Sequence, residues 1–474
     1  MERHILKTSY GIVDENLQSI AEDAIDFAMF KGITMRPRNL SHDTRVPLPF
    51  CLVPSKFPSR WFYLARELQP YLNQVLLDIA HSRDVLKECL SSTIEVDEFT
   101  SNIYKIFEAV DRLDRTEQSS LGLLRSDYLL NMDDSGNVIG LKQVENNAIA
   151  ASFGGLAPSV RHLHEFVLEK LGQKAFHHLL PENESDYELA RGLIAAWDVY
   201  DNPSSIILFV VEEVTYNICD QRALEYAILD TEKDVEILRC TFKDLRTSAI
   251  LRDEKLFVHG KEVAVVYYRT GYVPEDYEPI DWETRFLMEK SRAIKCPSAG
   301  LHLACSKRVQ AFLTREGILE RFLPQDIADH VRQVFAKQYS LEMTENGDRA
   351  IKLGLENPDK YVLKPERDGG GNNLYGEDVK TTLDRIKSTE ERMAYILMER
   401  INPPAISNCI VLGDCSPEIG GIVCELGAFG IILGSKKKIF KNNYGGHLLR
   451  SKRIDSNETG VAAGFGALDS PYLE

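Results

Sequence analysis

The chain predicts a mixed α/β fold, and three observations carry that reading. Strand and helix patterns alternate from about residue 205 to 305, as in a parallel sheet. The first ~115 residues follow helical periodicity. The last third mixes helices with short strands set off by glycine.

Taken in order, Leu17, Ile20, Ala24, Ile25 and Ala28 form one helical face, and a second runs from Trp61 to Leu90 with a kink expected at Pro70. This region, 1–115, is read as helical scaffold. From Leu121 the pattern changes: Asp133-Asp134-Ser135-Gly136 is a turn, and Leu141 to Asn147 is the second strand of a hairpin within a core segment, 116–204. Ser205 to Val211 reads as a buried strand, Asp220 to Leu229 as a helix, and Val235 to Cys240 and Val263 to Tyr268 as further strands. Together they predict an inserted parallel-sheet α/β domain, 205–305. In the remainder, 306–474, Ile410 to Leu412, Ile422 to Glu425 and Ile431 to Leu433 are expected as an antiparallel meander with glycine turns.

With 474 residues and 44% hydrophobic content the chain can bury a large core, and its net charge of -16 argues against nucleic acid or an anionic membrane as partner. The basic run Lys436-Lys437-Lys438 is short and isolated. Charges at Met1-Glu2-Arg3-His4 do not suit a signal peptide, and no apolar run approaches the ~20 residues of a membrane span, so a cytosolic protein is expected. Nine cysteines without a C-x-x-C pair predict reduced, mostly buried thiols. No H-E-x-x-H occurs, and His162, His164, His177 and His178 are expected as helix-surface residues.

Lys364-Pro365-Glu366-Arg367-Asp368-Gly369-Gly370-Gly371-Asn372-Asn373 carries the strongest chemical signal. Tyr361-Val362-Leu363 before it reads as a strand, and Glu377-Asp378 after it opens a helix. Glycine amides can approach phosphate oxygens closely, while lysine, arginine and a carboxylate suit a nucleoside triphosphate with its magnesium. Neither the Walker pattern nor a strand-linked G-x-G-x-x-G is present, so this is a phosphate loop of another kind. A glycine-rich surface hairpin is the alternative; Lys364, Arg367 and Asp368 favour the phosphate reading. Glu145 and Asn147, two apart on a strand, leave the same face and can share one hard cation, with Asp368 as third oxygen ligand. Alone they would equally suit the exposed face of a hairpin. Lys307, Lys364 and Lys452 are candidates to neutralise a triphosphate, and Met398-Glu399-Arg400-Ile401 resembles a linker whose backbone binds an adenine edge. Arg125 and Arg450 are fork-shaped donors for a carboxylate or acyl phosphate. Gly460-Val461-Ala462-Ala463-Gly464 is a loop that could close on a small substrate or simply a loosely packed turn.

Assembled, these segments resemble the eukaryotic-type glutathione synthetases of the ATP-grasp fold over essentially the whole chain. The resemblance rests on Leu123-Leu124-Arg125-Ser126-Asp127-Tyr128, Gln143-Val144-Glu145-Asn146-Asn147, Ala151-Ser152-Phe153-Gly154-Gly155, Asp220-Gln221-Arg222-Ala223, Lys364 through Gly376, Leu397-Met398-Glu399, Glu425-Leu426-Gly427, Gly446-His447-Leu448-Leu449-Arg450 and the 460–464 loop. It implies a permuted ATP-grasp fold with the inserted domain, a glycine-rich lid at 366–374 and an alanine-rich loop at 454–466. It also implies an ATP-dependent peptide ligase joining γ-glutamylcysteine to glycine through an acyl phosphate, as a cytosolic homodimer. By the same resemblance Glu145, Asn147 and Asp368 hold Mg2+. ATP meets Glu145, Lys307, Lys364 to Asn373, Tyr375, Met398, Glu399, Arg400, Ile401, Glu425, Lys452 and Glu458. The peptide substrates meet Arg125, Ile149, Ala150, Ala151, Ser152, Thr215, Tyr216, Asn217, Gln221, Arg269, Thr270, Gly271, Tyr272, Arg450, Val461 and Ala462. Arg125, Arg450 and Lys452 are the expected catalytic groups. The chain departs from the family pattern at Ala150, where serine is common, at Thr215-Tyr216, which replaces a charged pair, and at Asp368, shorter than the usual glutamate. A sister ligase using β-alanine or serine, and a catalytically silent ATP-binding dimer, are the competing readings.

Overall fold

The computed structural model describes residues 10, 12, 14–37, 43–113, 116–367, 370–413, 417–457, 460, 461, 464 and 466–474. The N-terminal region supplies helices Asp14–Phe30, Ser59–Ala80, Arg83–Leu90 and Glu98–Asp111. Ser59–Ala80 buries Phe62, Ala65, Leu68, Leu72, Val75, Leu76 and Ile79, the three-and-four spacing of one helical face. The helix expected from Trp61 to Leu90 is in fact two, because the Ser82 hydroxyl accepts from the Val85 amide and starts a new one. Nor is the region purely helical: Phe50–Cys51 joins the central sheet, and Ser55–Phe57 pairs in parallel with Pro471–Leu473. Strands of two or three residues carry no readable period.

Among the described residues the central sheet has thirteen strands. At one side Glu236–Cys240, Ile206–Val210, Lys261–Tyr268 and Ile294–Cys296 run parallel in that spatial order. Ile207 and Phe209 feed one core while Ile206, Leu208 and Val210 feed another. A strand covered on both faces reads as a continuous apolar run, which is why it was legible. Ser120, opposite Lys295, links this set to an antiparallel body formed by Val138–Asn147, Ser120–Met132, Glu418–Gly434 and Ile439–Arg453.

Here the expected meander fails. Ile422 to Glu425 and Ile431 to Leu433 lie on one strand, Glu418–Gly434. Its glycines mark close approach rather than turns. A Cβ on Gly427 would sit 2.9 Å from Arg125 Cδ, and one on Gly430 would sit 2.0 Å from Asn73 Oδ1.

A second antiparallel sheet orders Gln338–Ser340, Tyr395–Glu399, Tyr361–Pro365 and Leu374–Tyr375. Helices Glu345–Glu356 and Glu377–Ile386 cover it through Ile351, Val379, Leu383 and Ile386. The glycine-rich segment is the hairpin connection of this sheet, with Gly370 and Gly371 at φ 73° and 77°.

The eight described cysteines are free thiols and all but Cys219 are buried, as expected; Cys415 lies outside the described residues. His164 corrects the surface reading. It is fully buried, its Nε2 is 2.8 Å from the Cys51 carbonyl oxygen, and burial lowers its pKa to about 4.

Candidate active site

A cavity of about 950 Å³ opens between the smaller sheet, the antiparallel body and the carboxyl ends of the parallel strands. Sheet pairing assembles its floor. Arg125 stands opposite Asn147 and Phe429, Asp127 opposite Glu145, and Arg450 opposite Glu425. Alternation along the strand then puts Arg125 and Asp127 on one face.

Asp127 is the hub. It is fully buried, and its two oxygens accept from Arg125 Nε at 2.7 Å, Arg125 Nη2 at 2.9 Å, Arg450 Nη2 at 2.9 Å and Asn147 Nδ2 at 3.0 Å. Burial alone would raise its pKa, but Arg125 and Arg450 outweigh burial and hold it below the ordinary carboxylate value. Arg450 also donates to Glu425. Burial pushes the Glu425 carboxyl up, opposed by Arg450 and reinforced by Asp127 and Glu145. The Nε of Arg450 is buried without a hydrogen-bond partner among the described residues, on a cavity wall where an anion could meet it.

Asn147 gives its amide nitrogen to Asp127, which leaves its amide oxygen as the free ligand beside the Glu145 carboxylate. Two hard oxygen donors on one wall, with room beside them for phosphate oxygens, fit a magnesium ion. Among the described residues no three of His, Cys, Asp and Glu cluster as a protein-only cage. The third expected ligand, Asp368, lies outside the described residues, as do Gly369, Glu458 and Ala462.

The loop from Ala148 to Gly155 forms another wall and is clamped from several sides. Ala150 and Phe153 adopt φ of 51° and 72°. Arg125 Nη1 donates to the Ser152 carbonyl at 3.1 Å, Asn217 Nδ2 to the Ser152 hydroxyl at 3.0 Å, and Arg269 to the Ala151 carbonyl and Ser152 hydroxyl at 3.0 and 3.1 Å. Asp220 pairs with Arg269 at 3.3 Å and accepts from the Gly155 amide at 2.9 Å. This buried framework fixes non-glycine backbone in the left-handed region.

Of the expected site residues, the cavity brings together Arg125, Glu145, Asn147, Ile149, Ala150, Ala151, Ser152, Tyr216, Asn217, Arg269, Tyr272, Lys364, Gly370, Asn373, Tyr375, Met398, Glu399, Arg400, Ile401, Glu425, Arg450, Lys452 and Val461. Lys364 Nζ is 2.9 Å from the Val144 carbonyl and Lys452 Nζ 2.7 Å from that of Asn457. The amides of Glu399 and Arg400 are spent on Lys337 and Lys360 carbonyls, both at hydrogen-bond distance within the protein.

Lys307, Pro365, Glu366, Arg367, Gly371, Asn372, Thr215, Gln221, Thr270 and Gly271 are not on the wall. Several of these act behind it. Glu366 accepts from the Lys307 and Arg308 amides at 2.6 and 3.0 Å, Lys307 Nζ donates to the Arg367 carbonyl at 2.5 Å, and Arg367 pairs with Asp97. Gln221 donates to Asn217 and accepts from Arg239. Asp127 and Glu212 are the residues that sequence reasoning missed. For Asp127 the signal was present, two positions from Arg125 on a strand.

The family profile described as "Eukaryotic glutathione synthase, ATP binding domain" matches residues 14–473. A glutathione synthetase of Xenopus laevis is 40% identical over 462 residues, which are 96% of this chain and 97% of that one. The Homo sapiens glutathione synthetase is 38% identical, covering 97% of each chain. A chloroplastic glutathione synthetase of Solanum lycopersicum is 37% identical over 98% of this chain and 86% of its own. Among solved structures, the apo form of a glutathione synthetase-like effector from Globodera pallida shares the fold, with a TM-score of 0.79 over 98% of this chain and 99% of that one at 24% identity.

Proposed function

Since the chain belongs to the eukaryotic glutathione synthase family and is an ATP-dependent ligase with glutathione synthetase function, we propose that this cavity joins γ-glutamylcysteine to glycine with ADP and phosphate as products. One observation carries the assignment to this site. Arg125, Arg450, Lys364 and Lys452 converge on one cavity with the oxygen pair Glu145 and Asn147. That is a donor set for a triphosphate and a reacting carboxylate together.

A carboxylate acylates poorly because its leaving group is oxide. Transfer of the γ-phosphoryl group to the cysteinyl carboxylate breaks the terminal P–O bond of ATP, releases ADP and leaves an acyl phosphate. The glycine amine then attacks the carbonyl carbon, and phosphate departs as the amide forms. Arg450, whose Nε has no protein partner among the described residues, and Arg125 stabilise the charge on the reacting carboxyl. Lys364 and Lys452 neutralise the phosphates, Met398 to Ile401 hold adenine through the Ile401 amide, and Glu425 keeps Arg450 in place. Glu145, Asn147 and Asp368 would hold magnesium, which when bound shields negative charge on the transferring group. The hairpin at 366–374 and the loop at 454–466 exclude water from the acyl phosphate. Lys307, Glu366 and Arg367 position the hairpin stem, and Gln221, Thr215, Thr270 and Gly271 support the dipeptide wall.

We further assign a homodimer in the cytosol, divided at 115, 204 and 305 as the sequence suggests. Free thiols favour a reducing compartment, and among the described residues no helix is long and apolar enough to cross a membrane. Sedimentation at micromolar concentration checks the dimer. The decisive assay is ADP release with magnesium-ATP and γ-glutamylcysteine, supplied in parallel with glycine, β-alanine or serine, with products weighed by mass spectrometry. A glycine tripeptide is expected. Preference for another acceptor would reassign the substrate, and ATP binding without product would favour a silent scaffold.

A further inference from the structure

γ-Glutamylcysteine carries one ammonium group, on the γ-glutamyl end, and a site that recognises it needs a carboxylate there. On the reading above, the cysteinyl carboxylate faces Arg450 and Arg125, and Arg125 also reaches the Ser152 carbonyl, so the γ-glutamyl end extends toward the clamped loop and the parallel strands.

Among the described residues six carboxylates line the cavity. Four are committed or distant from that end. Glu425 is engaged by Arg450, and Glu399 lies 3.3 Å from Lys337. Asp134 sits in the hairpin turn two residues after Met132, whose amide is bonded to the Asn402 carbonyl, and Asp359 adjoins Lys360, whose carbonyl takes the Arg400 amide; both belong to the adenine side. Glu145 is on the metal wall. Glu212 remains.

Glu212 follows the carboxyl end of Ile206–Val210, and Arg269 and Tyr272 follow that of the neighbouring parallel strand. Ligands of parallel sheets gather at such ends. Its carboxylate accepts from the Tyr272 hydroxyl at 3.3 Å, and it faces Arg269 and Asp276 as well. Arg269 gives both terminal nitrogens to Asp220, Ala151, Ser152 and Tyr267, its buried Nε being left without a partner among the described residues, while Asp276 spends one oxygen on the amides of Gly271, Tyr272 and Val273. Burial raises the Glu212 pKa, Asp276 adds to this and Arg269 opposes it: the anion is short of positive charge. Thr215, nearby in sequence, turns its hydroxyl back onto the Glu212 carbonyl and offers no charge of its own.

We propose that Glu212 receives the α-ammonium of the γ-glutamyl group and is a specificity-determining residue for the dipeptide. This rests on the ligase reading, and the test separates the two. Kinetics are measured with γ-glutamylcysteine and with glutarylcysteine, the same molecule with hydrogen in place of the ammonium. Wild-type enzyme should show a KM about 10- to 100-fold higher for the analogue, the worth of one charge-assisted hydrogen bond. Glu212→Gln should raise KM for γ-glutamylcysteine by a similar factor and leave that for glutarylcysteine within about twofold, abolishing the discrimination. Glu212→Ala should behave alike, and an unchanged KM for ATP reports an intact fold. Equal losses on both dipeptides, or no loss on either, overturn the assignment while the ligase stands. A wild-type enzyme that makes no tripeptide overturns the ligase reading, and this assignment with it.

Discussion

Replacing Asp127 by asparagine tests whether the floor of the cavity is held by one carboxylate. The side chain is fully buried and accepts four hydrogen bonds, three of them from guanidinium nitrogens of Arg125 and Arg450. Removing its charge leaves Arg450 paired with Glu425, but Arg125 with no carboxylate partner among the described residues, only neutral acceptors such as the Ser152 carbonyl. Breaking a buried ion pair by removing one partner costs about 3–5 kcal/mol. With Glu425 still serving Arg450, the lower part of that range, about 3 kcal/mol, is expected. Urea denaturation gives the number directly. A second effect follows from position: if Arg125 and Arg450 drift by about 1 Å, kcat should fall roughly 100-fold. The Arg125→Met background supplies the control, because without the stranded guanidinium the same Asp127→Asn change should cost about 2 kcal/mol less. The lowered pKa of Asp127 fixes the pH sense. Its stabilisation is present above the ordinary carboxylate pKa and lost as pH falls through the depressed value, so the variant should lack that part of the acid limb. A loss under about 1 kcal/mol with normal kcat would refute the hub.

Glu145→Gln should raise the magnesium concentration for half-maximal activity by about tenfold or more while leaving thermal stability near wild type; a Mg2+ titration of ADP release checks the first and a thermal melt the second. Gly430→Ala would place a Cβ 2.0 Å from Asn73 Oδ1 and 2.6 Å from Gln69 Nε2, both fully buried, and should destabilise by about 1–3 kcal/mol, read from the urea midpoint. Asp469 is buried and its pKa is raised to about 6, chiefly by burial, although the Ser55 and Ser451 hydroxyls donate to it at 2.6 Å. The folded state therefore binds this proton more tightly than the unfolded chain, and stability rises as pH falls from about 6 toward 4, by up to about 3 kcal/mol from this group. Asp469→Asn should flatten the slope in that window, which denaturation midpoints across it will show.

Ile206–Val210 and Lys261–Tyr268 could be read within a residue or two of their bounds because each is a short apolar run covered on both sides, whereas half-buried Glu236–Cys240 was legible from its place in the alternation. Glu418–Gly434 could not, since its glycines look like turn residues. They are there because Arg125, Asp127, Asn73 and Gln69 press against the strand, and those partners come from far away in the chain. The helix break at Ser82 was visible in principle as a cap, but the apolar spacing continued through it. His164 was misjudged for a related reason: its neighbour His162 is exposed, and only the packing of Cys51 against the helix separates the two.

At the site, linear neighbourhood was a good guide to segments and a poor one to roles. Glu366 and Arg367 stand next to the glycines yet point away from the cavity wall, tying the hairpin stem to the Lys307 helix and to Asp97. The reason is geometric. Alternation along Tyr361–Pro365 sends Lys364 inward, where it reaches Val144, and the residues just beyond must then anchor a connection that would otherwise have only its two-pair stem. The opposite rim is bound to the hairpin in turn, because Tyr375 and Lys452 both donate to the Asn457 carbonyl. A lysine released from Asn457 to meet a phosphate would leave the Tyr375 hydroxyl on that carbonyl. Closure over the nucleotide and capture of its charge therefore draw on the same carbonyl.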